Sequence, residues 1–322
     1  MESQKQIKIS SSSCLVSKFL KFSKRVRTSL VLALLFFIVS SCSTNKANKS
    51  QVNLGYILNI THAVPMIDLE LNPSDKIRSY HFSSGGYLLN NLLTKNLDLA
   101  FIGPGPYINA VDKGVQLKLL GSYAYGANSL ILAQKFKDSS KEQIRKLRLA
   151  VPQFGNTQDL LAKKYLDQYV SEYIAIHPAE LEFAFFTGSI DAALVNEPWA
   201  TILAENSLIN ADQIFKEELE EINQFPSTLL IARKTHYDRE TKFYKTYINQ
   251  INQIKNNLKL KEKQNDYIKV IENHFSKISK KTPSEDLILK SLSQTKFSDS
   301  NKLNSYLEEL EAVAREFKYL KN

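Results

Sequence analysis

Between residues 52 and 203 short apolar strand patterns alternate with segments whose apolar residues recur at helical spacing, and this alternation restricts the fold most. "VNLGYIL" (52–58), "KIRSYHF" (76–82) and "LDLAFI" (97–102) read as strands, while residues 85–96 place Leu88, Leu89, Leu92 and Leu93 at helical spacing. The scheme repeats with "LRLAVPQ" (147–153), a helical stretch over 157–170, "YIAI" (173–176), a helical stretch over 178–188 and "IDAALV" (190–195). Strand alternating with helix predicts parallel sheets with helices on their faces. Two blocks share one plan: "LDLAFIGPGPYINA" (97–110) and "IDAALVNEPWATIL" (190–203) each hold an acid-opened apolar strand, a proline-bearing turn and a helix. That likeness predicts two homologous lobes, although any two strand–helix units share such an outline. "SLILAQ" (129–134) and "STLLIAR" (227–233) fall at the junctions and read as a two-strand hinge. From about His236 the pattern is helical and charged, a scaffold expected to pack back on the first lobe.

Upstream, Lys18, Lys21, Lys24, Arg25 and Arg27 precede an apolar run from Leu30 to Val39, then Ser40, Ser41 and Cys42. A basic region, a short apolar region and small residues at a cut read as an export signal. Those apolar residues would make a helix of about 15 Å, half of the ~30 Å hydrocarbon core, so a spanning helix is not expected. "VSSC" resembles the bacterial lipobox, in which the cysteine is acylated, and two acyl chains suffice for stable anchoring. The expected organisation is a signal peptide over 1–41, a polar linker over 42–50, lobe 1 over 51–133, lobe 2 over 134–225, and a return to lobe 1 with C-terminal helices over 226–322. The expected location is the extracytoplasmic face of the cell membrane or outer membrane, with the bilayer held through acylated Cys42.

Removing that leader changes the charge balance. The chain holds 42 Lys+Arg and 33 Asp+Glu; the leader takes seven basic side chains and one acidic, leaving 35 and 32. A net charge of +3 in place of +9 gives no support for a nucleic-acid partner. Cys14 leaves with the leader and Cys42 is acylated, so no thiol remains for a disulfide, a zinc site or a nucleophile. The five histidines lack metal-ligand spacing, and no phosphate loop, nucleophile elbow or nucleotide fingerprint is present. Neither a cofactor nor an enzymatic activity is expected.

In open parallel sheets, ligands bind outside the carboxyl ends of the strands. That rule selects Asn59, Thr61 and His62 after the first strand, Ser84 and Gly85 after the second, and Gly103 and Pro104 after the third. In the second lobe it selects Asn156, Thr157 and Gln158, with Glu197 and Trp199 in "NEPW". Ser84 and Asn156–Thr157 stand where helix N-caps belong, and helix N-termini offer unpaired N–H groups and a positive dipole end to an anion. Two such termini facing across a cleft would hold a small oxyanion without a dedicated lysine; capping alone is the structural alternative at each. His62 would donate to the anion or be held by backbone. Trp199 and Tyr107 would wall an organic ligand or join the core, and Glu197 would meet an amine or close on a backbone N–H.

"GYILNITHAVPMI", "LDLAFIGPGPYINA", "LAVPQFGNTQDLLAKKYL" and "IDAALVNEPWATIL" resemble the corresponding blocks of periplasmic substrate-binding proteins for nitrate, sulfonates and taurine, which serve ATP-driven importers. The resemblance covers essentially all of the chain after Cys42. It implies an α/β, two-lobed type II periplasmic binding protein fold with a hinge of two crossing strands and C-terminal helices on the first lobe. The partners it implies are a small anionic ligand and an ABC transporter permease. Many relatives carry a hydroxyl residue within the "GPGP" turn, where this chain has Gly105. A pyrimidine-synthesising relative with this fold is marked by a cysteine-rich motif, which this chain lacks. A binding protein for a thiamine-precursor pyrimidine, with Glu197 reading a basic ring, and a non-transport interaction lipoprotein are the other readings.

Overall fold

The computed structural model describes residues 51–206, 208–279 and 282–321. The expected signal peptide, Cys42 and the linker lie outside the described residues. The first half comprises β1 (Val52–Ile57), α1 (Ala63–Leu71), β2 (Ile77–Phe82), α2 (Gly85–Leu93), β3 (Leu99–Ile102), α3 (Pro104–Asp112) and β4 (Leu117–Gly126). The second comprises β5 (Asn128–Leu132), β6 (Leu147–Val151), α4 (Thr157–Tyr165), β7 (Val170–Ala175), α5 (Leu181–Phe186), β8 (Ala192–Asn196), α6 (Trp199–Glu205), β9 (Ile209–Asn210) and α7 (Lys216–Ile222). The chain returns through β10 (Pro226–Arg233), then α8 (Lys234–Arg239), α9 (Thr241–Leu258), α10 (Lys261–Ile278), α11 (Glu285–Gln294), β11 (Thr295–Lys296) and α12 (Leu303–Glu316).

The strands form two mixed sheets, ordered β11-β4-β10-β3-β1-β2 and β7-β6-β8-β5-β9. In the first, β1 pairs in parallel with β2 and β3, and antiparallel β10 borders β3. In the second, β6 pairs in parallel with β7 and β8, and antiparallel β5 borders β8. The two similar sequence blocks, β3–α3 and β8–α6, therefore hold the same place in each sheet. Their opening acids do the same work: Asp98 Oδ2 accepts the Asn53 N–H and Asp191 Oδ2 accepts the Arg148 N–H, each at 3.0 Å. Burial opposes ionisation of Asp191, yet the bonds from Arg148 and Lys135 hold its carboxyl well below the usual carboxylate range.

The chain first crosses between sheets at Ala127. The "SLILAQ" strand, read as the end of lobe 1, pairs with β8 as part of the second sheet. The crossing falls there because Gly126 and Ala127 both take positive φ, 66° and 62°, and turn the chain out of β4. A side chain on Gly126 would also meet the Asn223 carbonyl at 3.0 Å. Asn223 clamps the turn, accepting the Asn128 N–H and donating to the Asn128 carbonyl, each at 2.9 Å. The return crossing runs beside it, with the Gly126 N–H donating to the Phe225 carbonyl at 3.1 Å.

Apolar side chains at helical spacing in α9 (Tyr244, Tyr247, Ile251, Ile254 and Leu258) are buried with α1 and α10 against the first sheet. Each such burial contributes roughly 1.5–3 kcal/mol, which holds these helices on the first half as the resemblance implied. The last helix departs from that plan: α12 lies against both α3 and α4, so Leu310 and Val313 join a core shared by both halves. Among the described residues no helix is long and apolar enough to cross a membrane.

Candidate functional site

The carboxyl ends of β1, β2, β6, β7 and β8 surround a cavity of about 720 Å³. The first sheet contributes Ile57, Leu58, Asn59, His81, Phe82, Ser83, Ser84 and Gly85. From the second come Pro152, Gln153, Asn156, Gln158, His177, Pro178, Ala179, Glu182, Asn196, Pro198, Trp199 and Ile202. Phe275 and Ile278 of α10, with Ser279, Thr282, Pro283 and Leu287, close a further side.

Of the residues expected at a ligand, Asn59, Ser84, Gly85, Asn156, Gln158 and Trp199 line this cavity. Ser84 and Asn156 cap α2 and α4: Ser84 Oγ accepts the Tyr87 N–H at 3.4 Å, and Asn156 Oδ1 accepts the Asp159 N–H at 2.9 Å. Those oxygens are thus engaged with their own helices. Two amides are each held by one outer bond, leaving one end for the cavity. The Thr61 hydroxyl donates to Asn59 Oδ1 at 2.8 Å, and Gln158 Nε2 donates to Asn128 Oδ1 at 3.0 Å.

Thr61, His62, Gly103, Pro104, Thr157 and Glu197 do not line it, each for a physical reason. Thr61 is buried behind Asn59, and its carbonyl accepts from the Thr228 hydroxyl at 3.0 Å. Thr157 Oγ1 accepts the Gly105 N–H at 3.2 Å, which ties the start of α3 to the start of α4 and engages both with each other. A Cβ on Gly103 would stand 2.8 Å from Thr157 Oγ1, and Pro104 is buried in the first turn of α3. A Cβ on Gly105 would lie 2.6–2.8 Å from backbone atoms of Asn156, Gly155 and Thr157. The missing hydroxyl of the "GPGP" turn therefore has a cause: the opposing loop occupies its space. Tyr107 packs against the core.

Glu197 is buried, accepting from the Thr201 hydroxyl at 3.0 Å, the Thr201 N–H at 3.3 Å and the Ser291 hydroxyl at 3.1 Å. Burial raises its pKa. It borders a separate cavity of about 290 Å³ with Ser129, Asp212 and Lys290, so a basic ring in the larger cavity would not be read by Glu197.

His62 is buried, and its Nδ1 accepts the Ile57 N–H at 3.3 Å. Burial pushes its pKa from 6.5 down to about 3, so the ring is neutral and brings no charge to an anion. The unfolded state binds the extra proton between those values, so stability contributed by neutral His62 is complete above pH 6.5 and is lost as pH falls toward about 3. His62→Gln should flatten the decline of melting temperature between about pH 6.5 and about pH 4. An unchanged slope would place the acid sensitivity elsewhere.

His81, Phe82, Gln153 and His177 also line the cavity, and the strand-end rule points to them at β2, β6 and β7. His177, just after β7, marks the strand end among these with no residue in the candidate set drawn from sequence. Phe275, Ile278 and Leu287 carry no sequence signal, because they come from helices that read only as scaffold. Among the described residues no group of three or more His, Cys, Asp or Glu is placed to hold a metal ion.

A sequence model of the NMT1-like family matches residues 45–272. The chain belongs to the NMT1-like family. No curated protein matches this NMT1-like chain by sequence. Its fold is similar to that of the periplasmic aliphatic sulphonate binding protein SsuA from Escherichia coli, with TM-score 0.66 and 15% identity over 85% of this chain and 94% of that one. The periplasmic nitrate-binding protein NrtA from Synechocystis PCC 6803 is similar with TM-score 0.67 and 16% identity, over 84% of this chain and 82% of the other. A zinc-bound ligand binding component of an ABC-type import system from Staphylococcus aureus has TM-score 0.64 and 15% identity, over 84% and 93%. This NMT1-like chain has the periplasmic binding protein fold, with two sheets joined by crossing strands.

Proposed function

We propose that this NMT1-like protein is the solute-binding component of an ABC-type importer, tethered outside the cytoplasm through acylated Cys42. The cavity of about 720 Å³ between the two sheets carries the reading. A ligand that touches both sheets stabilises the arrangement in which they approach, because those contacts exist only there. The family and the fold support the same role, since similar folds serve sulfonate- and nitrate-binding proteins. Within the expected nitrate, sulfonate or taurine-like class, the lining favours a solute larger than a three-oxygen anion, which occupies on the order of two water volumes, ~60 Å³. Phe82, Trp199, Ile202, Phe275 and Leu287 line the cavity and suit a ligand with an organic, apolar body.

A thermal-shift panel of nitrate, sulfate, taurine, alkanesulfonates, pyrimidines and aromatic amides tests the reading. An organic solute should stabilise the protein by about 2.7 kcal/mol at one hundred times its dissociation constant, and be recovered unchanged. Stabilisation by nothing in the panel would favour an interaction role, and chemical conversion an enzyme. For the anchor, wild-type protein should partition into detergent phase and Cys42→Ser should not. Cleaved, water-soluble wild-type protein without lipid mass would refute the tether.

A further inference from the structure

We infer that the solute is recognised through a hydrogen-bond donor that it presents to Gln158 Oε1, which restricts the ligand to organic molecules carrying an N–H or O–H at that edge. This rests on the ligand occupying the cavity between the sheets. The orientation of Gln158 follows from a chain of bonds that begins at backbone. Asn128 Nδ2 donates to the Gly126 carbonyl at 3.1 Å, and a carbonyl only accepts, so the amide nitrogen of Asn128 must face it. Asn223 Oδ1 lies 3.4 Å from the same nitrogen and holds it from a second side. Asn128 Oδ1 therefore faces Gln158 and only accepts, so Gln158 meets it with Nε2 at 3.0 Å. Turning the Gln158 amide over would set two carbonyl oxygens against each other. Gln158 is 7% exposed and lines the cavity, so its carbonyl oxygen is the acceptor it offers to a ligand.

The facing wall adds the complement. Asn59 is 7% exposed and lines the cavity, and its Oδ1 is engaged by the Thr61 hydroxyl, so its Nδ2 donates into the same space. One held acceptor from the second half and one held donor from the first suit a neutral solute that carries both a carbonyl and an N–H, as a carboxamide does. Phe82 and Trp199 take the apolar body. A nitrate, sulfonate or carboxylate oxygen placed at Gln158 Oε1 would set acceptor against acceptor in a desolvated place. Losing one such bond costs roughly ten- to a hundredfold in affinity.

The test uses isosteric pairs, benzamide with benzoate and benzenesulfonamide with benzenesulfonate, titrated into the purified protein by thermal shift and calorimetry. The amide of each pair should bind at least tenfold tighter than its acid, and Gln158→Met should remove that preference. Should Gln158→Met fold poorly, Asn59→Leu should weaken the same amides about tenfold by removing the facing donor. Acids that bind as tightly as amides, or amides that bind Gln158→Met as they bind wild type, overturn the inference while leaving the cavity a binding site. If only another solute in the wider panel binds, it must carry an N–H or O–H and lose tenfold in Gln158→Met, and one without a donor overturns the inference. A protein that no compound stabilises overturns the cavity reading, and this inference with it.

Discussion

Asp159→Asn should destabilise the protein by roughly 3–5 kcal/mol, the largest single-residue loss expected outside the apolar core. The Lys163 ammonium lies 2.5 Å from Asp159 Oδ1, with side-chain exposures of 6% and 0%. Asp159 Oδ2 accepts the Gly155 N–H at 2.7 Å, so the carboxylate also holds the loop that opens α4. Lys163 bonds to the Tyr319 hydroxyl and stands over the rings of Phe154, Tyr173, Phe317 and Tyr319 at 4.6–5.4 Å from their centroids. Removing the carboxylate charge leaves that ammonium desolvated with rings and one hydroxyl, which do not replace a counter-ion. The double variant Asp159→Asn/Lys163→Met should recover much of the loss, because no buried charge then lacks its partner. Tyr319 belongs to the segment after α12, so amide exchange near residues 317–321 should rise in the single variant. Chemical denaturation of the full cycle decides it. Strictly additive losses would mean that the pair is not coupled.

Gly105→Ser should cost roughly 2–3 kcal/mol and bring no gain in ligand affinity, although it restores a hydroxyl of the kind many relatives carry in this turn. The new Cβ would meet the Asn156 carbonyl carbon at 2.6 Å, the Gly155 oxygen at 2.7 Å and the Thr157 nitrogen at 2.8 Å. All three are backbone, so no flexible side chain can give way. Relief requires the starts of α3 and α4 to part, which breaks the bond from the Gly105 N–H to Thr157 Oγ1. Thr157→Val separates the two effects by deleting the acceptor without adding bulk. It should cost about 1–3 kcal/mol for the stranded N–H, and small-angle scattering should show less expansion than for Gly105→Ser. An unchanged melting temperature in Gly105→Ser would mean that these loops do not meet in solution.

Much of the candidate site was legible because strand ends are local features. Asn59, Ser84, Gly85, Asn156, Gln158 and Trp199 follow apolar strand patterns directly, and all line the cavity. The acids opening the two similar blocks were legible as well, and the structure adds why they recur: Asp98 and Asp191 each close on the neighbouring strand's backbone. Thr157 was read with its neighbours as a ligand donor, yet its hydroxyl faces Gly105 across the two halves. Nothing near Thr157 in sequence announces a partner in another strand–helix unit.

The sequence by itself determined the succession of strands and helices and the caps that start α2 and α4, because these depend on apolar period and on side chains within a few residues. It also determined that loops at strand ends would border whatever space the sheets enclose. Only the tertiary structure decided which of those loop residues remain available. Glu197 closes on Thr201 and on Ser291 of α11, His62 is desolvated until it is neutral, and Gln158 has its amide oriented by Asn128 at the crossing between sheets. Availability depends on which distant groups satisfy a polar atom and how much water is removed from it, and both are settled only when segments far apart in sequence come into contact.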